Sequence, residues 1–404
     1  MNANHIMNTM EMEQELENDL LEITLGPSHP AMHGTIQMKV KLDGERVAFC
    51  DVEPGYLHRG FEKECEDHRW NQIFPYTDRL NYVSPIINNV AFAMAAEKLC
   101  GLEVPERCQY LRVILSEMCR ITDHLTCLAA VVMELGAFTA FLYFVKAREL
   151  YYDLLESVTG ARLTYSWLRI GGARWDIPDG FVEQAKKAIP ETRRILKEID
   201  GLFTKNRIFL DRVVNVGVIS QSDAISYGIT GPFLRSTGVA YDVRKAHPYA
   251  VYDRFEFDIP VGENGDCFDR YRVRMAEMEQ SLRILEQALP KIPGGPISVK
   301  DPKYTLPDKQ AVYTTIEGTI NHFKLIFDDI HPPKGEVYAA VEGGNGELGF
   351  YLVSDGGNKP VKCRCRPPCF PIMAALGGII TGHMLADIIP IFGSVNMIGG
   401  EMDR

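Results

Sequence analysis

Two histidines in a short loop are the first residues whose types and spacing could do chemistry. Residues 26–34 read Gly-Pro-Ser-His-Pro-Ala-Met-His-Gly and place His29 and His33 four positions apart. Imidazole exchanges a proton near neutral pH and is also a common metal ligand. An i, i+4 pair could chelate a metal from one helix face, but Pro30 and Gly34 argue against a helix here. Two interpretations stay open: imidazoles presented for proton chemistry, and imidazoles bonded to nearby backbone.

Three cysteines, Cys363, Cys365 and Cys369, lie within seven residues. A tetrahedral zinc site or an iron–sulfur cluster normally needs four ligands, and the adjacent sequence offers no fourth cysteine or histidine. The spacing therefore favours unrelated thiols in a strand-to-loop segment over a metal site. The N-terminal residues lack the basic and apolar regions of a signal peptide, so we expect reduced cysteines that mostly pack in the core.

A third candidate, residues 344–349, has the Gly-x-Gly-x-x-Gly spacing of dinucleotide-binding proteins. Those glycines hold a pyrophosphate only where they open a helix, whose N-terminal amides and dipole bind the anion. The residues that follow, Phe-Tyr-Leu-Val at 350–353, instead favour a strand. We therefore expect a hairpin turn at this place and no nucleotide site.

The histidine loop is followed by a pattern typical of a β-hairpin. Apolar residues alternate over 36–42 and return over 47–52, with Asp43-Gly44 as the two-residue turn. From Pro85 to Gly160 the apolar residues recur at three and four positions, which predicts helices. Pro85 and Pro105 suit first helical turns, and Gly101 and Gly160 suit the residue after a helix.

The remaining chain predicts one more helix over 278–289, extended segments at 337–341 and 348–353, and a final helix over 372–389. No internal repeat or flexible linker divides it. The predicted fold class is mainly α with β ends, an α+β fold. We expect one domain over 21–404, which comprises the hairpin and loop region 21–70, the helical region 71–300 and the C-terminal β elements with the final helix, 301–404. An acidic tail, 1–20, precedes it.

Charge and composition exclude several classes of protein. The sequence has 43 basic and 54 acidic side chains, a formal charge of −11 that repels phosphate backbones and argues against nucleic acid as a partner. No apolar stretch reaches the roughly 18 residues that a membrane span needs. We therefore expect a globular protein of the cytosolic compartment.

Longer strings, found in the same order along the chain, carry a resemblance over residues 25–404. Besides 26–34, they are 55–63 (Gly-Tyr-Leu-His-Arg-Gly-Phe-Glu-Lys), 75–82 (Pro-Tyr-Thr-Asp-Arg-Leu-Asn-Tyr), 160–162 (Gly-Ala-Arg), 169–172 (Arg-Ile-Gly-Gly), 231–235 (Gly-Pro-Phe-Leu-Arg), 241–245 (Tyr-Asp-Val-Arg-Lys), 292–296 (Ile-Pro-Gly-Gly-Pro) and 400–404 (Gly-Glu-Met-Asp-Arg). With them the chain resembles the D-subunit family of the proton-pumping NADH:quinone oxidoreductase, respiratory complex I. That family is related to the large subunit of nickel–iron hydrogenases, so the resemblance implies a hydrogenase-like central helical bundle between N-terminal and C-terminal β elements.

The kinship with hydrogenases implies something about metals. Hydrogenase large subunits hold nickel and iron with two Cys-x-x-Cys pairs, whose counterparts here are residues 79–84 and 396–401. Neither segment contains a cysteine. Because soft metals need thiolate ligands, we expect no metal and no iron–sulfur cluster in this chain.

In place of the metal site, the resemblance implies a pocket for a quinone headgroup. It assigns headgroup binding and proton donation to His33 and Tyr82. Tyrosine can give a proton and recover it, whereas phenylalanine could not. Glu134 stands where the family carries an aspartate that bonds the histidine, and a carboxylate there would favour the protonated imidazole. A solvated or structurally paired carboxylate is the alternative for Glu134.

Several further residues take expected roles from the same resemblance. His29, Met32 and Gly34 belong to the quinone loop, and Arg162 is expected to face the last iron–sulfur cluster, which a partner subunit carries. Many relatives have a histidine near that cluster, where this sequence has Thr164. His58 and Arg59 are expected to orient nearby backbone.

The expected function is therefore the quinone-pocket subunit of a proton-translocating NADH:quinone oxidoreductase, a translocase, with ubiquinone or menaquinone as substrate. The chain would bind no NAD and would be inactive alone. Expected partners are the iron–sulfur subunit with the terminal cluster, other peripheral-arm subunits and the membrane-arm subunit of the quinone channel, at the cytoplasmic side of the membrane. Two alternatives stay open: the equivalent subunit of a complex fed by ferredoxin or another donor, and a non-catalytic scaffold of the peripheral arm.

Overall fold

A three-stranded antiparallel sheet opens the part of the chain that the computed structural model describes, which is residues 20–29, 32 and 35–404. Its strands are β1 (Leu21–Leu25), β2 (Gln37–Asp43) and β3 (Arg46–Glu53), paired in that order. The predicted hairpin is confirmed as β2 and β3, while β1 adds an unpredicted third strand. The acidic tail lies outside the described residues except for residue 20.

The hairpin turn sits one residue later than predicted. Asp43 pairs with Arg46, so the two loop residues are Gly44 and Glu45. Gly44 has φ +60°, a left-handed conformation that glycine adopts without steric cost.

Helices fill the middle of the chain, as predicted. Their bounds are α1 (Phe61–Asp67), α2 (Phe74–Thr77), α3 (Pro85–Cys100), α4 (Glu106–Glu134), α5 (Phe138–Thr159), α6 (Phe181–Ile199), α7 (Arg207–Val213), α8 (Gln221–Ser226), α9 (Gly231–Arg235), α10 (Val243–Ala246) and α11 (Cys267–Ala288). A two-strand ribbon of β4 (Leu168–Arg169) and β5 (Gly172–Ala173) lies between α5 and α6. Pro85 begins α3, and Gly101 and Gly160 follow α3 and α5 in the left-handed region, as expected. Pro105 precedes the first turn of α4 rather than lying within it.

The last hundred residues combine helices with a second antiparallel sheet. The elements are α12 (Lys309–Thr314), α13 (Ile316–Phe327), β6 (Gly335–Glu342), β7 (Glu347–Ser354), β8 (Lys362–Arg366), α14 (Cys369–Ile380), α15 (Ile388–Val395) and α16 (Gly399–Asp403). The glycine-rich segment is the turn between β6 and β7, closed by the amide of Gly343 donating to the carbonyl of Gly346. The expectation of a hairpin turn is confirmed there. Helices α12 and α13 were not predicted.

The prediction of one final helix over 372–389 is wrong, because the N-terminal hairpin interrupts it. The amide of Gly382 donates to the carbonyl of Val47 at 2.8 Å, and Met384 forms an isolated bridge with Arg46. These long-range bonds occupy backbone groups that a continuous helix would use internally. Helix α14 therefore ends at Ile380, and the next α-helix, α15, begins at Ile388.

A buried network of charges joins the central helices. Glu277 of α11 accepts from Arg235 Nε at 2.7 Å and lies 2.9 Å from His124 Nε2 of α4. Burial alone would raise the pKa of Glu277, but the Arg235 charge and the His124 hydrogen bond hold it well below its ordinary range. Such a network is tolerated in a core because its charges are paired. Through His124 it holds α4 against α11 at the position next to Asp123.

The predicted fold class, mainly α with β ends, is confirmed. Of the ten cysteines, all but Cys100 are buried, as expected for small core residues. Within residues 20–29, 32 and 35–404, none of the helices combines the length and apolarity that crossing a bilayer requires. The division into segments at 70 and 300 stays a prediction.

Candidate functional site

A buried carboxylate, Asp123 in the middle of α4, organises the polar centre of the molecule. It is 0% exposed and, among the described residues, accepts hydrogen bonds from three neutral side chains. Asn81 Nδ2 and Ser84 Oγ donate to Oδ2 at 2.7 and 2.8 Å, and Asn396 Nδ2 donates to Oδ1 at 3.0 Å. The donors come from the two segments that the resemblance matched to the hydrogenase metal ligands. In this chain those segments converge on a carboxylate through amides and a hydroxyl.

A second layer of polar groups extends from Asp123 toward the C-terminal sheet. Asn345, in the β6–β7 turn, accepts from Asn396 Nδ2 at 2.6 Å and donates to the Asn396 carbonyl at 3.0 Å. Its side-chain nitrogen also lies 3.3 Å from the Cys369 sulfur. A Cβ at Gly344 would come within 2.1 Å of Asp123 Oδ2, so only glycine allows the turn to approach this closely.

Glu401 is a second buried carboxyl near this cluster. It is 1% exposed, and its Oε1 accepts from the backbone amide of Cys369 at 3.3 Å. Burial, and then the negative charge of Asp123, raise the pKa of Glu401 to about 8. The site can therefore hold a proton on Glu401 near neutral pH.

Tyr82 lies in the turn between two of the Asp123 donors, Asn81 and Ser84, immediately before α3. Its side chain is 40% exposed, whereas Asn81 and Ser84 are buried. Partial burial, and then the charges of Cys369 and Asp123, raise the pKa of the Tyr82 phenol. The turn thus exposes a protonated phenol as a hydrogen-bond donor. The polar side chains that hold the turn, Asn81 and Ser84, are buried.

Two of the residues that we expected in the quinone loop, His29 and Met32, are among the residues that the structure describes. His29 is exposed, and its carbonyl accepts from the amide of Met32 at 2.9 Å. Met32 is 0% exposed and packs in the hydrophobic core. His33 and Gly34 lie outside the described residues, so their expected roles stay predictions.

Glu134 is the last residue of α4, eleven positions after Asp123. Eleven residues make three helical turns, about 16 Å along the axis, so both carboxylates lie on nearly the same face of α4. Glu134 packs closely against α15, since a Cβ at Gly393 would lie 2.7 Å from its Oε2. The structure therefore places it some distance along the helix from the Tyr82 turn.

Arg162 is held at the surface by acidic side chains of α5. Its guanidinium pairs with Glu149, with Asp153 at 3.0 Å and with Glu156 at 3.3 Å. It also lies over the ring of Tyr152, 5.6 Å from the centroid. These contacts hold the guanidinium of Arg162 in one position at the surface.

Thr164, two residues later, has φ +56°, a rare conformation for a β-branched residue. Ser166 is also left-handed, with φ +41°. Its amide and hydroxyl donate to Asp78 Oδ2 at 2.9 and 2.6 Å. These bonds tie the strained loop to the segment that carries Tyr82.

His58 and Arg59 both bond to backbone carbonyls, as expected. His58 Nδ1 donates to the Asp403 carbonyl at 2.7 Å, and Arg59 Nη2 donates to the Arg79 carbonyl at 2.9 Å. The Asp403 carboxylate in turn accepts from the amides of Gly55 and Leu57. This loop therefore fastens the C-terminal helix beside the Tyr82 segment.

The three closely spaced cysteines have different neighbours. Cys363 faces Cys65. The hydrogen bond with Cys65, and then burial, raise the pKa of the Cys363 thiol. Cys369 lies against Asn345. Among the described residues, no group of three or more His, Cys, Asp or Glu side chains is arranged to hold a metal ion.

Sequence reasoning missed Asp123, Asn345 and Glu401, because the cluster joins residues that are far apart in the chain. One signal was available. Asp123 and His124 form a polar pair between Ile121 and Leu125 of a strongly apolar helix face. Polar groups at such positions are buried only with partners, and so mark a specific site.

Comparison with known proteins gives a consistent result. Residues 134–404 match the model of the family described as the 49-kDa subunit of respiratory-chain NADH dehydrogenase. The chain is 54% identical over 394 residues to the D subunit of NADH-quinone oxidoreductase from Myxococcus xanthus, covering 98% of this chain and 95% of the relative. It is 54% identical over 395 residues to a D subunit of the same oxidoreductase from Sorangium cellulosum, covering 98% of each chain. Against the D subunit from Pelobacter propionicus it is 49% identical over 393 residues, covering 97% and 98%.

Proposed function

The chain belongs to the D-subunit family of NADH-quinone oxidoreductase, and from that premise we propose that it forms the pocket in which a quinone is reduced. Family membership makes the other subunits of that complex its partners. In the proposal, Tyr82 and His33 bind the quinone headgroup and protonate it. The electrons arrive from an iron–sulfur cluster in a partner subunit.

Quinone reduction makes clear demands on the protein. The quinone takes up two electrons and two protons, and negative charge develops on its two carbonyl oxygens. Fixed O–H and N–H donors that point at those oxygens stabilise the charge and deliver the protons. A phenol and an imidazole are suited to that task because both can lose a proton and recover it.

The position of Tyr82 is the observation that carries the proposal. Its phenol is partly exposed, while Asn81, directly before it, and Ser84, two positions after it, are fixed by their hydrogen bonds to Asp123. A donor on a rigid turn needs little reorganisation when charge develops on a substrate oxygen. A tyrosine phenol is protonated at neutral pH, and burial raises the pKa of Tyr82 further, so the phenol is present as a hydrogen-bond donor.

The roles of His33 and Glu134 in the proposal rest on the family resemblance. Glu134 shares a face of α4 with Asp123, and in the proposal its carboxylate bonds the imidazole of His33. A carboxylate that bonds an imidazole favours its protonated form, and so supplies the second donor. His29, Met32 and Gly34 complete the loop in this proposal.

The electron-donating side is proposed to lie near Arg162 and Thr164. Arg162 would face the cluster of the neighbouring iron–sulfur subunit, and this chain itself would hold neither metal nor NAD. A membrane-arm subunit would supply the channel through which the lipid-soluble quinone enters from the bilayer. In this proposal the subunit lies on the cytoplasmic side of the membrane.

The test uses the assembled complex carrying Tyr82→Phe or His33→Ala. We expect NADH:quinone reductase activity to fall by roughly a hundredfold, in the range lost with a proton donor. Electron transfer from NADH to an artificial acceptor upstream of the quinone should be unchanged. Tyr338→Phe, the same change at a similarly exposed tyrosine of β6, is the matched control. Near-normal quinone reduction by the Tyr82 and His33 variants, with an ordinary quinone KM, would refute the assignment and favour a scaffold.

A further inference from the structure

Helix α13 presents an apolar face to solvent. Ile316, Phe323 and Phe327 are 75%, 64% and 66% exposed, and with Ile320 they follow the spacing of a single helix face. The rings of Phe323 and Phe327 stack with centroids 5.5 Å apart. Along α13 only Gly318 is buried. A contiguous exposed apolar face of this kind marks an interaction surface.

A cleft of about 530 Å³ lies beside this helix, and Leu325 and Ile326 of α13 form part of its lining. Three arginines line it as well: Arg69, Arg169 and Arg174. Arg69 Nη1 donates to the carbonyl of Ile326 at 3.3 Å, which joins the cleft to the C-terminal end of the helix. Leu325 lies on the opposite side of α13 from the apolar face, but Ile326 is 60% exposed and lies only about 60° around the helix from Phe323. The arginine cleft therefore borders the apolar face along one flank of α13.

The three arginines of the cleft are bonded to backbone and aromatic groups, in a chain whose formal charge is −11. Within the described part of the chain, none of the three guanidinium groups forms an ion pair within 4 Å. Arg169 donates to the carbonyls of Ser166 and Leu168, and Arg174 lies over the ring of Trp175. Burial, and then the neighbouring charge of Arg174, lower the pKa of Arg169.

The acidic residue that lines the cleft is already engaged. Asp329 accepts from the amide and the side chain of Asn71 at 2.8 and 2.6 Å. It also accepts from the amide of Ile330 at 2.8 Å. The cleft thus carries an excess of positive charge that a further carboxylate would relieve.

We propose that α13 and the arginine cleft are the docking surface for an acidic segment of another subunit of the complex. A carboxylate of that segment enters the cleft, while its apolar side chains cover Ile316, Ile320, Phe323 and Phe327. This matches the composition of protein interfaces, in which an apolar core is accompanied by arginine. The inference does not depend on the quinone pocket.

A protein fits this surface better than an anionic membrane does. The arginines are recessed in a concave cleft, where planar guanidinium groups can bind a carboxylate in bidentate fashion. Membrane-surface helices carry several Lys and Arg side chains along their polar face, whereas Lys324 is the single Lys or Arg of α13, and Glu317 lies in its first turn.

The experiment places a photo-crosslinking phenylalanine analogue at position 323 of the chain in the assembled complex, and the cross-linked peptide is identified by mass spectrometry. We expect a peptide from another subunit that contains Asp or Glu close to the attachment point. Arg174→Glu should then lower the cross-link yield roughly tenfold, because like charges across an interface repel. Replacing the partner's acidic residue by Arg should restore the yield. Arg207→Glu, at a 93% exposed side chain on α7, is the control and should leave the yield unchanged.

Other outcomes would overturn the proposal. They are cross-links to lipid alone, cross-links only within this chain, a partner peptide without acidic residues, and an unchanged yield with Arg174→Glu. If Arg174→Glu prevents assembly, Arg174→Gln replaces it, since this change removes the charge without reversing it. A severalfold lower yield with Arg174→Gln supports the docking surface, and an unchanged yield contradicts it.

Discussion

Asn396 donates from its side-chain nitrogen to the carboxylate of Asp123 at 3.0 Å, although 273 positions separate them in the chain. The bond joins the segment after α15 to the centre of α4. Asp123 therefore sits at the point where the beginning, middle and end of the fold meet. Among the described residues, the donors to its buried carboxylate are neutral side chains that share this one acceptor, so the cluster depends on Asp123.

Removing the acceptor should be far more damaging than removing one donor. Asp123→Ala leaves Asn81, Ser84 and Asn396 buried without their shared acceptor, and each unsatisfied group costs about 1–3 kcal/mol. We expect the free energy of unfolding to fall by at least about 3 kcal/mol, measured by urea denaturation of the full-length chain. Ser84→Ala, which removes one donor and leaves the others bonded, should cost about 1 kcal/mol. Equal losses in the two variants would contradict the central role of Asp123.

Gly344 is predicted to be irreplaceable because of its contact with Asp123. A Cβ at this position would lie 2.1 Å from Asp123 Oδ2, which forces either the β6–β7 turn or the carboxylate to move. We expect Gly344→Ala to lower the thermal unfolding midpoint of the chain by several degrees, as about 1–3 kcal/mol of overpacking would. Gly378→Ala, in α14 with open space around its Cβ position, is the control and should be neutral or stabilising. A neutral Gly344→Ala would show that the turn can retreat without cost.

Local sequence signals predicted the elements whose ends are set locally. Pro85, Gly101 and Gly160 mark helix boundaries because each acts on its own backbone. The final helix was mispredicted because Gly382 bonds to Val47, a partner that no local pattern reveals. Helix α13 was missed although Ile316, Ile320, Phe323 and Phe327 recur at the three- and four-residue spacing that predicted the central helices. The cluster around Asp123 was only half predicted, since the resemblance located the segments of Asn81 and Asn396 but gave no sign of the carboxylate between them.

Glu401 should make the stability of the chain depend on pH. Its pKa is raised from 4.5 to about 8, so the folded state holds the proton more tightly than the unfolded state does. This contribution is fully present below pH 4.5 and is lost as the pH rises to 8, with a slope of up to about 1.4 kcal/mol per pH unit. Glu401→Gln should flatten that slope, measured by urea unfolding of the full-length chain from pH 5 to 8. Glu317→Gln, at an exposed carboxyl, should leave the slope as it is, and an unchanged slope in Glu401→Gln would exclude Glu401 as its source.

Thr164 offers a way to test whether the surface around it faces the iron–sulfur cluster that we propose for a partner subunit. Histidine tolerates a positive φ better than threonine does, so Thr164→His should fold and assemble normally. An imidazole close to the cluster would bind a proton more tightly when the cluster is reduced. We therefore expect the midpoint potential of the terminal cluster, measured by redox titration of the assembled complex, to become dependent on pH, by up to about 59 mV per pH unit. Thr164→Asn, which also suits a positive φ but does not titrate, should behave like the wild type. If the His and Asn variants gave the same pH dependence, the cluster would lie too far from residue 164 to sense its charge, and the electron-donating side would have to be sought elsewhere on this chain.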